Sequence, residues 1–135
     1  MLFKNNYYFL SNMYPCEITI DIHGKQQTFS CVESAFQAFK CPQRSFEFVG
    51  LNGYQAKKLG RKVELRNDWN DIKVSLMEEL IRQKFSNPEL PNKLKAIEGE
   101  IVETNSWGDT FWGMCRGRGQ NVLGKILMKI RDAKN

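Results

Sequence analysis

Two hydrophobic periods divide this chain. Glu17 to Ile22 alternates, with Ile18, Ile20 and Ile22 on one face, the period of a half-buried strand. A second short strand is predicted over Gln26 to Ser30. His23-Gly24 falls between the two, where a hairpin turn is expected. At Ser30 the pattern becomes helical and runs to Lys40, ending near Cys41-Pro42 because a proline disfavours helix in the residue before it. Arg44 to Val49 reads as a short helical turn, and Gly50, Asn52 and Gly53 mark a loop. Tyr54 to Lys62 reads as a helix that ends near Gly60. Asp68 to Phe85 is the longest helical pattern. Ile72, Leu76 and Leu80 form one stripe and Met77, Ile81 and Phe85 an adjacent one, a wide apolar face for the core. Asn87 before Pro88 reads as the N-cap and first position of a short helix running to about Ala96.

Glu100 to Thr104 follows as a brief strand, and residues 105–121 as an irregular, glycine-punctuated segment. The last helix carries Val122, Leu123, Ile126, Leu127 and Ile130 on one face, with Lys125, Lys129 and Arg131 outward. Helices outnumber short strands. The predicted class is therefore α+β, predominantly helical, in one compact domain over residues 1–135 with a small sheet or hairpin.

Composition narrows the chemistry. A chain of 135 residues holds one real core. It contains no apolar run near the roughly 18 residues of a membrane span. The N-terminus, MLFKNNYYFL, lacks a signal pattern, so the expected location is cytoplasmic, with no membrane partner. The net charge of +5 fits an anionic small molecule or a weak nucleic-acid contact and establishes neither. Cys16, Cys31, Cys41 and Cys115 form no CxxC pair, and four reduced thiols are expected. One histidine in a turn excludes a His-based metal cluster and argues against a Ser-His or Cys-His pair. No metal and no cofactor are expected. Catalysis here leans on carboxylates, lysine or bound water.

Three stretches carry candidate chemistry. In SCVESAFQAFK, helical spacing puts Glu33, Phe36, Gln37 and Lys40 on one stripe, while Ala35, Ala38 and Phe39 look like packing positions. A carboxylate, a ring, an amide and an ammonium in one line suit the floor of a pocket. Against that, Ser30-x-x-Glu33 matches a capping box, in which Glu33 only reaches back to the helix start. In CRGRGQN, Arg116 and Arg118 alternate with Gly117 and Gly119 just ahead of a helix N-terminus. That arrangement suits an anion, or is a solvated loop. In YYFLSNMYP, the aromatic residues are either core or a pocket wall around Ser11 and Asn12. The crowd of Lys57, Lys58, Arg61 and Lys62 is, on its own, a solvated basic face.

Taken together and in order, FLSNMYP, VESAFQAFK, LGRKVELRNDW, DTFWG and GRGQNVLGKILMKIR resemble the NADAR family, named for NAD and ADP-ribose. The likeness is greatest to its riboflavin-intermediate N-glycosidases and runs from Phe9 to Arg131. The resemblance implies a compact, mainly helical domain with a small sheet. It implies hydrolysis of an N-glycosidic bond on a ribose bearing a 5′-phosphate or an ADP group. Members of this kind act on ribosylaminopyrimidine phosphates of the riboflavin pathway; others remove ADP-ribose from guanine in nucleic acid. A module that binds ADP-ribose or NAD without cleaving it is the remaining alternative.

The family's key glutamate falls on Glu33, its nearby lysine on Lys40 and its late aspartate on Asp109, followed by Trp112. Its LGR and LRxxW segments fall on Gly60-Arg61 and on Leu65 to Trp69. Many relatives carry histidine directly after the glutamate, where Ser34 stands here, so no imidazole is needed beside Glu33. Glycine-rich sequence often follows the late Trp-Gly, where this chain has Met114-Cys115. Cleavage through an oxocarbenium-like ribosyl cation needs negative charge near C1′, a proton for the leaving base and a positioned water. The resemblance assigns Glu33 to the reacting centre and Asp109 as its acid or base partner. Lys40 is a phosphate clamp or an amine that attacks the opened sugar. Phe9, Phe36, Trp69 and Trp112 are candidates to line the site or stack on the base. Asn12, Arg61, Arg118 and Asn121 are candidates for ribose and phosphate.

Overall fold

Alternation in the first strand predicts its pairing. In the computed structural model, which describes residues 1–133, β1 (Ile18–Ile22) and β2 (Lys25–Phe29) are antiparallel, with Ile18 opposite Phe29 and Ile22 opposite Lys25. His23 and Gly24 both adopt positive φ, 53° and 79°. Such a turn twists in the same sense as the strands it joins, and the Asp21 carboxylate accepts the Gly24 amide at 2.8 Å. Ile18, Ile22 and Phe29 are buried.

The helices that follow differ from prediction chiefly at their ends. α1 covers Val32–Ala38 rather than the expected residues 30–40. Phe39 and Lys40 donate their amides to carbonyls three residues back, a tightened last turn, and a 3₁₀ helix over Pro42–Phe48 follows. α2 (Gly53–Gly60) starts one residue early because Asn52 caps it: the Asn52 side chain takes the Gln55 amide and the Gln55 side chain takes the Asn52 amide. α3 (Trp69–Lys84) buries Leu76, Met77, Leu80 and Ile81, the predicted stripes, while Ile72 is half-buried. These elements belong to one unit of the chain, Asn12–Lys84.

A second unit contains Met1–Ser11 and the chain from Phe85 onward. It opens with a 3₁₀ helix over Asn5–Leu10. α4 covers Leu90–Lys95. Asn87 does not cap it; its side chain accepts the Glu89 amide outside the helix, and the proline of the first turn is Pro91. The strand expected over Glu100 to Thr104 is reduced to β3 (Thr104–Asn105). It pairs in parallel with β4 (Met114–Cys115), inside the segment predicted to be irregular. α5 (Val122–Asp132) follows as predicted. The architecture is α+β with helices in the majority. Among the described residues, no helix is long and apolar enough to cross a membrane.

One buried cation strains this economy. Lys84 ends α3 at 2% exposure, its Nζ 5.4 Å from the Tyr14 ring centroid. Burial pulls its pKa down to about 8, opposed in part by the Cys16 and Cys31 thiols. The unfolded lysine titrates near 10.4, so between pH 8 and 10.4 the unfolded chain binds more protons and stability rises with pH. Lys84→Met should therefore stabilise the protein at pH 7 by up to about 3 kcal/mol. Thermal unfolding of the two proteins from pH 7 to 10 should show that advantage shrinking; a gap independent of pH would sink this account.

Candidate active site

α1 is buried along its whole length, and all seven of its residues, polar ones included, are enclosed. Buried polar groups require partners. Glu33 is 9% exposed, and its Oε2 accepts a 2.7 Å hydrogen bond from Gln37 Nε2 one turn along. The capping-box reading of Ser30 and Glu33 is overturned. Cys31, not Ser30, stands at the N-cap, with no side-chain cap bond. The Ser30 hydroxyl donates instead to the Leu51 carbonyl, which also accepts from Ser34 at 2.8 Å. The Glu33 amide, which a capping side chain would have taken, goes to the Asn12 carbonyl at 3.0 Å. The Glu33 side chain lies along the predicted stripe, bonded to Gln37.

The rest of that stripe is assembled by the segment before α3. The Arg66 amide donates to the Lys40 carbonyl at 2.9 Å, and its guanidinium holds Asp68 at 2.6 Å. This fastens the chain so that Trp69 enters beside α1. The Trp69 and Phe36 rings are buried with centroids 4.8 Å apart, and Lys40 Nζ lies 5.8 Å from the Trp69 centroid. Lys40 itself lies two residues past the end of α1 and is half-buried. Burial lowers its pKa; the Glu33 charge raises it; Arg61, Lys57 and Lys73 lower it. Arg61 is exposed at the C-cap of α2. Asn12 contributes its carbonyl to Glu33, while its Nδ2 lies 3.5 Å from Met77 Sδ and its Oδ1 is buried without a hydrogen-bond partner in the described residues.

The remaining candidates lie in the other unit. Phe9 is buried, packed edge-on against Phe85 at 6.4 Å with Lys93 over its ring at 5.9 Å, which is a core environment. Asp109 Oδ1 accepts the amides of Phe111 and Trp112 at 3.0 and 2.9 Å, shaping the turn that presents the half-buried Trp112. The Asn121 amide is committed at both ends, to Ile101 O and to the Glu103 N–H, each at 3.0 Å. Its expected contact with ribose or phosphate finds no support in this geometry.

At the start of the last helix the backbone amides are already engaged. The amides of Gln120, Asn121, Val122 and Leu123 are taken by the carbonyls of Thr110, Gly113, Phe111 and Trp112, at 2.8–3.2 Å. Arg116 and Gly117, at φ 54° and 77°, form a tight turn closed by mutual backbone bonds between Cys115 and Arg118. The Arg118 side chain is exposed. A Cβ on Gly119 would overlap the Gly113 carbonyl, so this glycine serves close backbone packing.

Three residues near the stripe were missed as site candidates. Lys57 is one turn before Arg61, and Lys73 one turn after Trp69 on α3; both spacings were readable, but only the fold brings their charges close enough to act on Lys40. Gly60 was read as a helix end and proves to be a contact with Gln37.

A family model described as the NADAR domain matches residues 2–133. A riboflavin biosynthesis protein of Vibrio vulnificus is 34% identical over 134 residues, covering 94% of this chain and 35% of its own. The chloroplastic riboflavin biosynthesis protein PYRR of Zea mays is 32% identical over 147 residues, covering 90% and 22%. N-glycosidase YbiA of Escherichia coli is 32% identical over 81 residues, covering 57% and 51%. The chain thus spans about a third or less of the first two relatives and about half of the third. No solved structure matches significantly.

The electrostatics of the stripe can be tested without a substrate. Glu33→Gln removes an opposite charge and should lower the Lys40 pKa further, whereas Arg61→Ala removes a repulsive neighbour and should raise it. Lysine Nζ NMR titration reads both; shifts in the same direction would show that these groups do not share a field.

Proposed function

This chain belongs to the NADAR family, and we propose on that footing that it is an N-glycosidase, hydrolysing the bond between a base and a phosphate-bearing ribose. The substrate class is a ribosylaminopyrimidine phosphate of the riboflavin pathway. The relatives named for riboflavin biosynthesis and as N-glycosidases favour this reading. The observation that carries it is Glu33, a buried carboxylate held by Gln37 rather than spent on a helix cap. Such a group can carry negative charge toward C1′ as the ribosyl cation develops, or accept a proton from the attacking water. Asn12 and Arg61 serve ribose and phosphate, and Phe36 and Trp69 form apolar walls for the base.

Lys40 is proposed to be more than a charge. Its pKa is lowered first by burial, which raises the fraction of free amine available for attack. The amine nitrogen would add to C1′ of the ring-opened substrate, the aminopyrimidine would leave from C1′ with a proton to give a lysine imine, and water would hydrolyse that imine to the sugar aldehyde and free amine. A guanidinium stays protonated and cannot do this.

Incubating the protein with a ribosylaminopyrimidine 5′-phosphate and with an ADP-ribosylated guanine oligonucleotide, and following released base by mass spectrometry, separates the readings. Release from the first supports this proposal. Release from the second alone moves the activity to ADP-ribosyl guanine, and binding without release identifies a recognition module. Glu33→Gln should cost roughly two orders of magnitude or more in kcat with melting nearly unchanged. Near-normal turnover in that variant would remove Glu33 from the reacting centre. Borohydride added during turnover should trap a ribosyl adduct on Lys40. No adduct, together with an active Lys40→Arg, would reduce Lys40 to an electrostatic contact.

A further inference from the structure

Gln37 is as deeply buried as the residues around it, 4% exposed, yet only one end of its amide is satisfied. Nε2 donates to Glu33 Oε2 at 2.7 Å. Oε1 is fully enclosed and has no hydrogen-bond partner in the described residues. It rests against Gly60 at the end of α2, where any Cβ would overlap it. An orphaned buried carbonyl is costly, and natural cores rarely tolerate one. Here the alternative is worse. Rotating the amide by half a turn would set a carbonyl oxygen against a carboxylate, acceptor against acceptor. Gly60 lets α2 approach closely enough to pin the amide from behind, with its N–H toward Glu33.

We propose that Gln37 is the positioning residue for Glu33, with Gly60 as its backstop: the pair fixes the direction of the carboxylate and favours its ionised form. This rests on the reading of Glu33 as the reacting carboxylate. A donor bound to an ionised carboxylate stabilises that state, and removing it moves the titration to higher pH. The other charged groups about the site are Lys40 after α1, Lys57 and Arg61 of α2 and Lys73 of α3, with the Cys31 thiol at the start of the helix. None is altered in the variants below, so a shift in Glu33 reports on Gln37.

The test uses the full chain. The Glu33 side-chain carboxyl is titrated by ¹³C NMR in the wild type, Gln37→Met and Gly60→Ala, without substrate. Gln37→Met keeps an unbranched chain of similar length but offers no donor, and should raise the Glu33 titration by about one pH unit. Gly60→Ala pushes on Oε1 and should shift it in the same direction. With a ribosylaminopyrimidine 5′-phosphate, Gln37→Met should lower kcat at neutral pH roughly 10- to 100-fold, the scale of a hydrogen bond to a charged group. KM should change far less, and the acid limb of the pH–rate profile should move upward with the NMR titration. A purely structural Gln37 would lower the melting temperature while leaving the Glu33 titration and the acid limb in place, and that result overturns the proposal. Should Gly60→Ala fail to fold, Gln37→Met decides alone. The titration needs no turnover. An active Glu33→Gln would end the catalytic reading, whereas an unmoved titration ends only this inference.

Discussion

A short helix buried on every side cannot carry polar side chains unless each finds a partner in the protein, and that constraint governs the unit from Asn12 to Lys84. α1 carries Glu33, Ser34 and Gln37 among alanines and aromatics, and all are enclosed. The surrounding segments are placed to satisfy them. The loop before α2 brings the Leu51 carbonyl to Ser30 and Ser34. The chain at Asn12 brings a carbonyl to the Glu33 amide, and the chain at Arg66 closes on the Lys40 carbonyl. The helix ends are served by backbone from elsewhere rather than by local capping side chains. That arrangement explains why this helix is shorter than its sequence pattern. The Glu33 carboxylate takes its hydrogen bond from Gln37.

Glycines in the other unit solve a different problem. The segment 109–124 folds back on itself so tightly that Cβ atoms at Gly113, Gly119 and Gly124 would overlap Glu103, Gly113 and Ile101 backbone atoms respectively. The benefit is hydrogen bonding. The amides of Asn121, Val122 and Leu123 at the start of α5, which a helix leaves unpaired, and the Gln120 amide before them meet the four carbonyls of residues 110–113. A glycine–arginine sequence before a helix therefore need not be an anion cradle. In this chain the same composition builds a backbone-to-backbone seam, and the arginines are left at its exposed turn.

Electrostatics sets the stripe apart from its surroundings. Lys40 feels Glu33 as an opposite charge and Arg61, Lys57 and Lys73 as like charges. Packing holds it there, with Lys40 over Trp69 and Trp69 against Phe36. Lys84 is a different case: its cation is buried beside an aromatic ring and two thiols.

The sequence alone determined whatever depends on period and local chemistry. The alternation of Ile18, Ile20 and Ile22 with His23-Gly24 defined the hairpin to within a residue. The stripes of Leu76, Leu80, Met77 and Ile81 identified α3, and the 3.6-residue spacing put Glu33, Phe36 and Gln37 in line. The ordered motifs identified the family. Helix ends were less legible, since Asn52 capped α2 as a local motif can, whereas Ser30 and Asn87 matched cap patterns and bond elsewhere. Only tertiary structure decided that Ser30 does not cap α1, that Phe9 packs against Phe85, and that the amides at the start of α5 meet backbone carbonyls. Each of those choices turns on which distant carbonyl, amide or ring occupies the space beside the residue. A one-dimensional pattern carries the demand for a partner, but the fold alone supplies its identity.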